Sequence, residues 1–291
     1  MSKKSKIWLI VAVCFMLIGG IIFTGVMSML KWDFKALNTT ECENNTYTVN
    51  EQFKNISINT LTADVLFIKS DDDTCKVECV ERPKEKHTVK VKDQTLNINV
   101  EDSRKWYDHI TFFGFAEPQI KVYLPQEQYG SLIINISTGD IDIPKEFTFD
   151  CIDIKDSTGD VSSKAKAVNY LNVKLSTGKV EIGCIDVSST PYIEPQNVNI
   201  SVTTGDVKLW RTGAKENLAV KTTTGNVWFC IVKAPHVTVK TTTGDVEGNL
   251  YTAPRFITKT TTGDVKVPEA KTDDVFEITT GTGDIYFKVV K

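Results

Sequence analysis

The sequence has no run of basic residues and no stripe of lysine or arginine interleaved with aromatics. Its 34 Lys and Arg are scattered among 37 Asp and Glu, for a net charge of −3. A phosphate backbone is held by positive charge summed along one surface, so nucleic-acid binding is set aside. Histidine is scarce: His87, His109 and His236 lie far apart, and no Cys or His pair has the spacing of a zinc site. The reading is of no metal and no cofactor. Disorder is excluded by the opposite kind of observation, since 41% of the residues are hydrophobic, enough for a sizeable core.

One long apolar run exists. Residues 7–30 (IWLIVAVCFMLIGGIIFTGVMSML) carry no charge and follow Lys3, Lys4 and Lys6. A bilayer is crossed by about 20 such residues, and a cleaved signal has a shorter apolar core with a small-residue cleavage site. An uncleaved membrane anchor is therefore expected. The lysines before it, against Lys31 and Lys35 after it, favour residues 1–6 as a cytoplasmic tail and place everything beyond residue 30 outside the cell.

Cys14 lies in that run, leaving six cysteines outside, a number that permits disulfides without assigning them. Cys75 and Cys79 cannot pair on one strand, where their Cα atoms would stand about 13 Å apart.

The dominant feature is a repeat. Thr-Gly recurs at Gly139, Gly159, Gly178, Gly205, Gly225, Gly244, Gly263 and Gly283, at steps of 20, 19, 27, 20, 19, 19 and 20 residues. The long step holds Thr190-Pro191-Tyr192-Ile193-Glu194-Pro195, an inserted loop. Two residues after each Gly stands Val or Ile, from Ile141 through Val265 to Ile285, and seven before it an apolar residue, from Leu132 to Phe276. Five before, the column is apolar except for Thr258. Alternation of period two within short β-branched runs marks strands with one buried face. A unit of about 20 residues cannot bury that face alone, so units must stack about 4.8 Å apart. The fold class expected is all-β: a β-solenoid of Thr-Gly-Asp turns over residues 126–291, preceded by one transmembrane helix. Residues 53–125, with FKNISINTLTADVLFI resembling a unit whose Gly has become Ala63, are expected to form degenerate rungs of the same stack, with or without an irregular cap, and residues 31–52 a polar tether. The Gly suits a turn needing positive φ, and the following Asp can accept backbone hydrogen bonds.

The segment IKVYLPQEQYGSLIINISTGDIDIP, with the STGDV and TTGDV units that follow it, resembles the bacterial putative-adhesin family of β-strand-repeat domains of unknown function over residues 53–291. The resemblance implies an envelope protein acting in adhesion or in responses to envelope stress. It supplies no catalytic or ligand residues.

Candidate functional residues therefore come from the columns. Four before the Gly, Lys155, Lys174, Lys221, Lys240 and Lys259 recur, with Asn135, Ser201 and Thr279 in the gaps. They form either a solvated face balanced by nearby acids or a basic strip for an anionic cell-wall polymer or glycan. The Asp column (Asp140, Asp160, Asp206, Asp245, Asp264, Asp284) offers one carboxylate per turn, too few oxygens for Ca²⁺, and is read as turn stabilisation. Thr pairs three and one before the Gly, such as Thr222 and Thr224, should face inward by strand parity, leaving one outward hydroxyl column rather than a two-column ice-binding array. The aromatic insert with Trp106, Tyr107, Phe112 and Phe113 is either an exposed docking loop or a plug for the end of the stack. The expectation is a non-enzymatic scaffold or binding module, held in the membrane by residues 7–30, whose partner is an anionic cell-wall polymer, a glycan or another envelope protein. A carbohydrate-active β-helix enzyme is the alternative, but it needs acids gathered in a cleft of long insertions, and Glu194 is the sole acid in the loop that breaks the period.

Overall fold

The computed structural model describes residues 3–32, 42–104, 118–184 and 193–290. The chain divides into two compact units, Met1–Cys42 with Arg104–Ala116 and Glu43–Ser103 with Glu117–Lys291. In the first, the helix Lys3–Met29 is exposed along its apolar length, with Ile7, Phe15 and Ile22 each more than half accessible, and Ser5–Met29 has a mean hydropathy of 2.7. A helix that is apolar all round finds no favourable place in water.

The second unit is built from two large, mostly parallel sheets, one of eleven longer strands and one of twelve shorter ones. Each rung runs through a long strand, a Gly turn and a short strand; Asn197–Thr204, Gly205 and Val207–Trp210 are typical. Equivalent residues stack in register, with Val198 between Leu171 and Leu218 and Val207 between Val180 and Val227. Those columns are buried throughout the middle of the stack and form one continuous core. Each fully buried Val, Leu or Ile contributes about 1.5–3 kcal/mol, which a lone rung could not realise.

The turn glycines have φ between 137° and 154°. A Cβ on Gly205 would meet the carbonyl oxygen of Gly178 one rung away, so the column needs glycine for close approach as well as for its backbone. The Asp after each Gly ties rung to rung. Asp140 Oδ1 accepts the backbone N–H of Asp160 at 2.7 Å, Asp160 that of Lys179 at 2.7 Å, and Asp245 that of Asp284 at 2.7 Å. Asn226 continues the ladder to Asp245, whereas Lys179 has no oxygen to offer and instead pairs with Glu181 at 2.6 Å.

Three sequence expectations change. Spatial order departs from chain order at both ends: Val275–Thr282 inserts between His236–Thr243 and Arg255–Lys259, making the Gly263 rung outermost. Likewise the rung of Thr95–Asp102 and Gln119–Leu124 lies outside that of Asn55–Thr62 and Asp64–Lys69. In both cases the first or last rung in sequence is tucked inside and paired on both sides. Val265, in an interior column, is accordingly 41% exposed. Second, residues 53–125 are not all rungs: Cys75–Glu81 runs antiparallel to Gln119–Leu124, and Glu85–Lys92 antiparallel to Thr95–Asp102. Third, the polar tether of 31–52 is partly a strand, since Glu43–Val49 pairs antiparallel with Cys75–Glu81. These strands end the stack with a reversed pairing that does not propagate the parallel ladder.

Candidate binding faces

On the longer-strand sheet, alternation sends the residues four and six before each Gly outward. The Lys column follows the spatial order Asn135, Lys155, Lys174, Ser201, Lys221, Lys240, Thr279, Lys259. Lys155 to Lys240 line a shallow trough of about 590 Å³, floored on the adjacent column by Asn172, Asn199, Ala219 and Thr238. The small floor residues keep the trough open beside the longer lysines. Asn199 donates to Asn172 at 3.2 Å, an amide ladder that rigidifies the floor. Lys155 approaches Asp153 at 3.9 Å, an exposed and weak pair, and Lys174, Lys221 and Lys240 form no ion pair among the described residues. A smaller hollow of about 330 Å³ continues the trough toward Ser157, Ser176 and Thr203. Lys259 does not line this trough, which ends at Lys240; it lies past Thr279 of the inserted rung, on the outermost rung of the stack.

The threonine parity is half right. Thr222, Thr241 and Thr280, three before the Gly, are buried, and Thr280 Oγ1 donates to the Gly244 carbonyl at 3.0 Å. One before the Gly, however, Thr224, Thr243 and Thr282 are exposed, because the chain leaves regular pleating as it enters the turn. Two hydroxyl columns therefore face solvent beside the turns, and the parity argument against a two-column array does not hold. In the Gly159 rung the inward position is Asp156, 6% exposed, with Oδ2 unpartnered; burial pushes its carboxyl up to about 6.

Trp106, Tyr107, Phe112 and Phe113 lie outside the described residues. The structure also assembles groups that spacing along the chain does not reveal. Cys79, Glu81 and His87, all buried, present their ligand atoms within 4.8 Å of one another. They are the residues that could hold a metal, but they already satisfy one another. Glu81 accepts from His87 N at 2.6 Å, from Asn45 Nδ2 at 2.6 Å and pairs with His87 Nδ1 at 2.8 Å, while Thr60 Oγ1 lies 2.9 Å from His87 Nε2. Burial pushes the Cys79 thiol up to about 12. No disulfide joins described residues.

On the shorter-strand sheet, residues three after each Gly face outward, and there Lys208, Trp228, Glu247 and Tyr286 are successive neighbours. Trp210 packs edge to face on Trp228 with ring centroids 4.3 Å apart, and a cleft of about 460 Å³ opens over the pair. Aligning the short strands as well as the long ones would have exposed this column in the sequence.

A family model described as Toastrack DUF4097 matches residues 53–190 and 183–291. Among solved structures, a putative adhesin from Parabacteroides distasonis is 13% identical, with a TM-score of 0.51, over 86% of this chain and 98% of its own. A putative adhesin from Bacteroides fragilis is 18% identical, with a TM-score of 0.44, over 85% and 97%. A putative lipid binding protein from Parabacteroides distasonis is 14% identical, with a TM-score of 0.45, over 86% and 97%. No curated protein matches the sequence.

Proposed function

Since the chain belongs to the Toastrack DUF4097 family, we propose that it is a non-enzymatic, adhesin-like binding scaffold of the cell envelope, anchored by residues 7–30 with its β-unit outside the cell. The observation that carries the binding role is the trough from Lys155 to Lys240: four ammonium groups against one carboxylate, repeated at rung spacing on a rigid sheet. Rigidity matters because lysines fixed in a row meet the charges of a polyanion without further ordering of the backbone. Such contacts are individually weak and act by summation along the polymer, so affinity is lost steeply as salt rises. The ligand class is an anionic cell-wall polymer of phosphodiester type.

The full chain in detergent micelles, titrated with teichoic acid, is expected to bind at low salt and release as salt rises. Lys221→Glu with Lys240→Glu should weaken binding at least about tenfold, from about 1 kcal/mol per lysine facing an anionic surface. Binding unchanged by both salt and the double substitution would remove the trough from consideration. For the anchor, protease added to intact cells should cut the β-unit free; protection of residues 43–291 would reverse the orientation.

A further inference from the structure

We infer a second binding site, on the outer face of the shorter-strand sheet, that takes a linear neutral oligosaccharide. The cleft over Trp210 and Trp228 combines two indole rings crossing at 68° with an acceptor-rich rim of Asp206, Asn226, Asp245 and Glu247. A pyranose ring presents one face of C–H groups and an equator of hydroxyls. The first stacks on an aromatic ring, and the second needs acceptors. Both are present at one place and nowhere else among the described hollows.

One of the two indoles is tethered. Trp210 Nε1 donates to Glu181 Oε1 at 2.9 Å. Burial works against the charge of Glu181, but hydrogen bonds from Lys179 and Trp210 hold it below the usual carboxylate range, so the tether persists. The rim is held too: Asp206 and Asp245 spend Oδ1 on the rung-to-rung ladder at 2.7 Å each, which fixes the carboxylate plane. Their second oxygens remain as acceptors.

Charge selects among ligands. Three carboxylates against Lys208 make the cleft net negative, which disfavours the phosphate polymer of the opposite sheet. A small quaternary ammonium would also suit indoles and carboxylates, but it would occupy a single rung, whereas the cleft is lined from three successive rungs. Length points the same way. Tyr286, 42% exposed, stands two rungs beyond Trp228 on the same outward column. Rungs advance about 4.8 Å, close to the advance of one sugar in an extended β-linked chain, so a glycan lying along the stack would place one unit per rung.

The test is intrinsic tryptophan fluorescence of the full chain in micelles, titrated separately with cellotetraose, chitotetraose and maltotetraose, and with choline as the competing cation. At least one tetrasaccharide should shift the emission saturably. Trp228→Ala should weaken that binding at least about tenfold, as truncating an aromatic anchor does. Tyr286→Ala should weaken binding of that tetrasaccharide but leave binding of the corresponding disaccharide, titrated alongside it, unchanged. Lys221→Glu with Lys240→Glu should leave sugar binding intact, so this site can fail or stand independently of the Lys trough. Should Trp228→Ala not fold, Glu247→Gln, fully on the surface column, carries the same expectation of weaker binding. Silence toward all three sugars, a response to choline alone, unaltered binding in the folded variants, or release of reducing ends would each overturn the inference.

Discussion

The middle of the ladder and its two ends are made by different physics. Between Gly159 and Gly244 every rung pairs with another Gly-turn rung on both sides, so repeated columns of Val, Ile and Gly serve it, with Asp156, Lys179 and Asn226 as local departures. An end has no equal beyond it. The N-terminal end meets this with strands paired the other way and a buried polar network around Glu81 and His87. The C-terminal end meets it by shrinking: its outermost short strand is Val265–Lys266, and Phe256, Phe276 and Phe287 close the core, with centroids 5.0 to 6.3 Å apart. Periodicity builds the body of the stack, while special chemistry ends it.

The hardest blow to this contrast falls on the N-terminal network. Glu81→Ala would leave His87 Nδ1, the His87 backbone N–H and Asn45 without their acceptor in a dry interior. Leaving one side of such a buried arrangement unpaired costs about 3–5 kcal/mol. Thermal denaturation should show the loss directly, and hydrogen exchange should show it concentrated in Glu85–Lys92 and Cys75–Glu81. In the parent protein, amides of Val265–Lys266 should exchange far faster than either strand; equal protection at the two ends would dissolve the difference drawn between them.

A smaller effect sharpens the middle. Where Thr280 donates its hydroxyl to a neighbouring Gly carbonyl, the Gly159 rung has Asp156, whose Oδ2 lacks a partner. Only the protonated carboxyl can act as that donor. Its carboxyl is raised to about 6 in the fold, against about 3.9 in the unfolded chain. Because the folded state holds the proton more tightly, the contribution of Asp156 to stability is greatest below about pH 4, falls as pH rises to about 6, and is level above. Asp156→Thr should remove that slope, raising stability by about 1–2 kcal/mol at pH 7 and leaving it little changed at pH 4. A denaturant midpoint measured at both pH values decides the matter; a variant that melts like the parent at pH 7 would mean the carboxylate is solvated after all.

The same division decides what could be read from the sequence. Columns such as Leu132 to Val237 or Ile141 to Val246 were legible because each must satisfy the same neighbours, and the Toastrack match falls over that region. The exchange of the last two rungs was not, since the Gly263 and Gly283 units carry nearly the same turn. Yet one residue signalled it: Thr258, the polar break in a column otherwise apolar, sits on the outermost rung, while Ile278 and Ile285 of the inserted rung are fully buried. Cys79, Glu81 and His87 gave no such signal. Two reversed strands bring them together, and spacing along the chain does not encode that pairing. Trp210 and Trp228 stand five and three residues after their turn glycines, on the same outward parity but in different columns, so no single repeat position marks the pair.

The smallest expected effect is the one that best separates middle from end. Lys259 shares the repeat position of Lys221 and Lys240, so sequence alone would give all three equal weight in holding a polyanion. In the ladder the trough ends at Lys240, and Lys259 lies past it across Thr279, on the outermost rung, whose short strand is only Val265–Lys266. A polymer seated over Lys155 to Lys240 would feel Lys259 only weakly. Lys259→Glu should therefore change teichoic-acid affinity by no more than about twofold where the Lys221→Glu and Lys240→Glu pair changes it at least about tenfold. An equal loss from Lys259→Glu would mean that the polymer runs across the inserted rung to the end of the stack, and that phase in the sequence, rather than position in the ladder, governs the face.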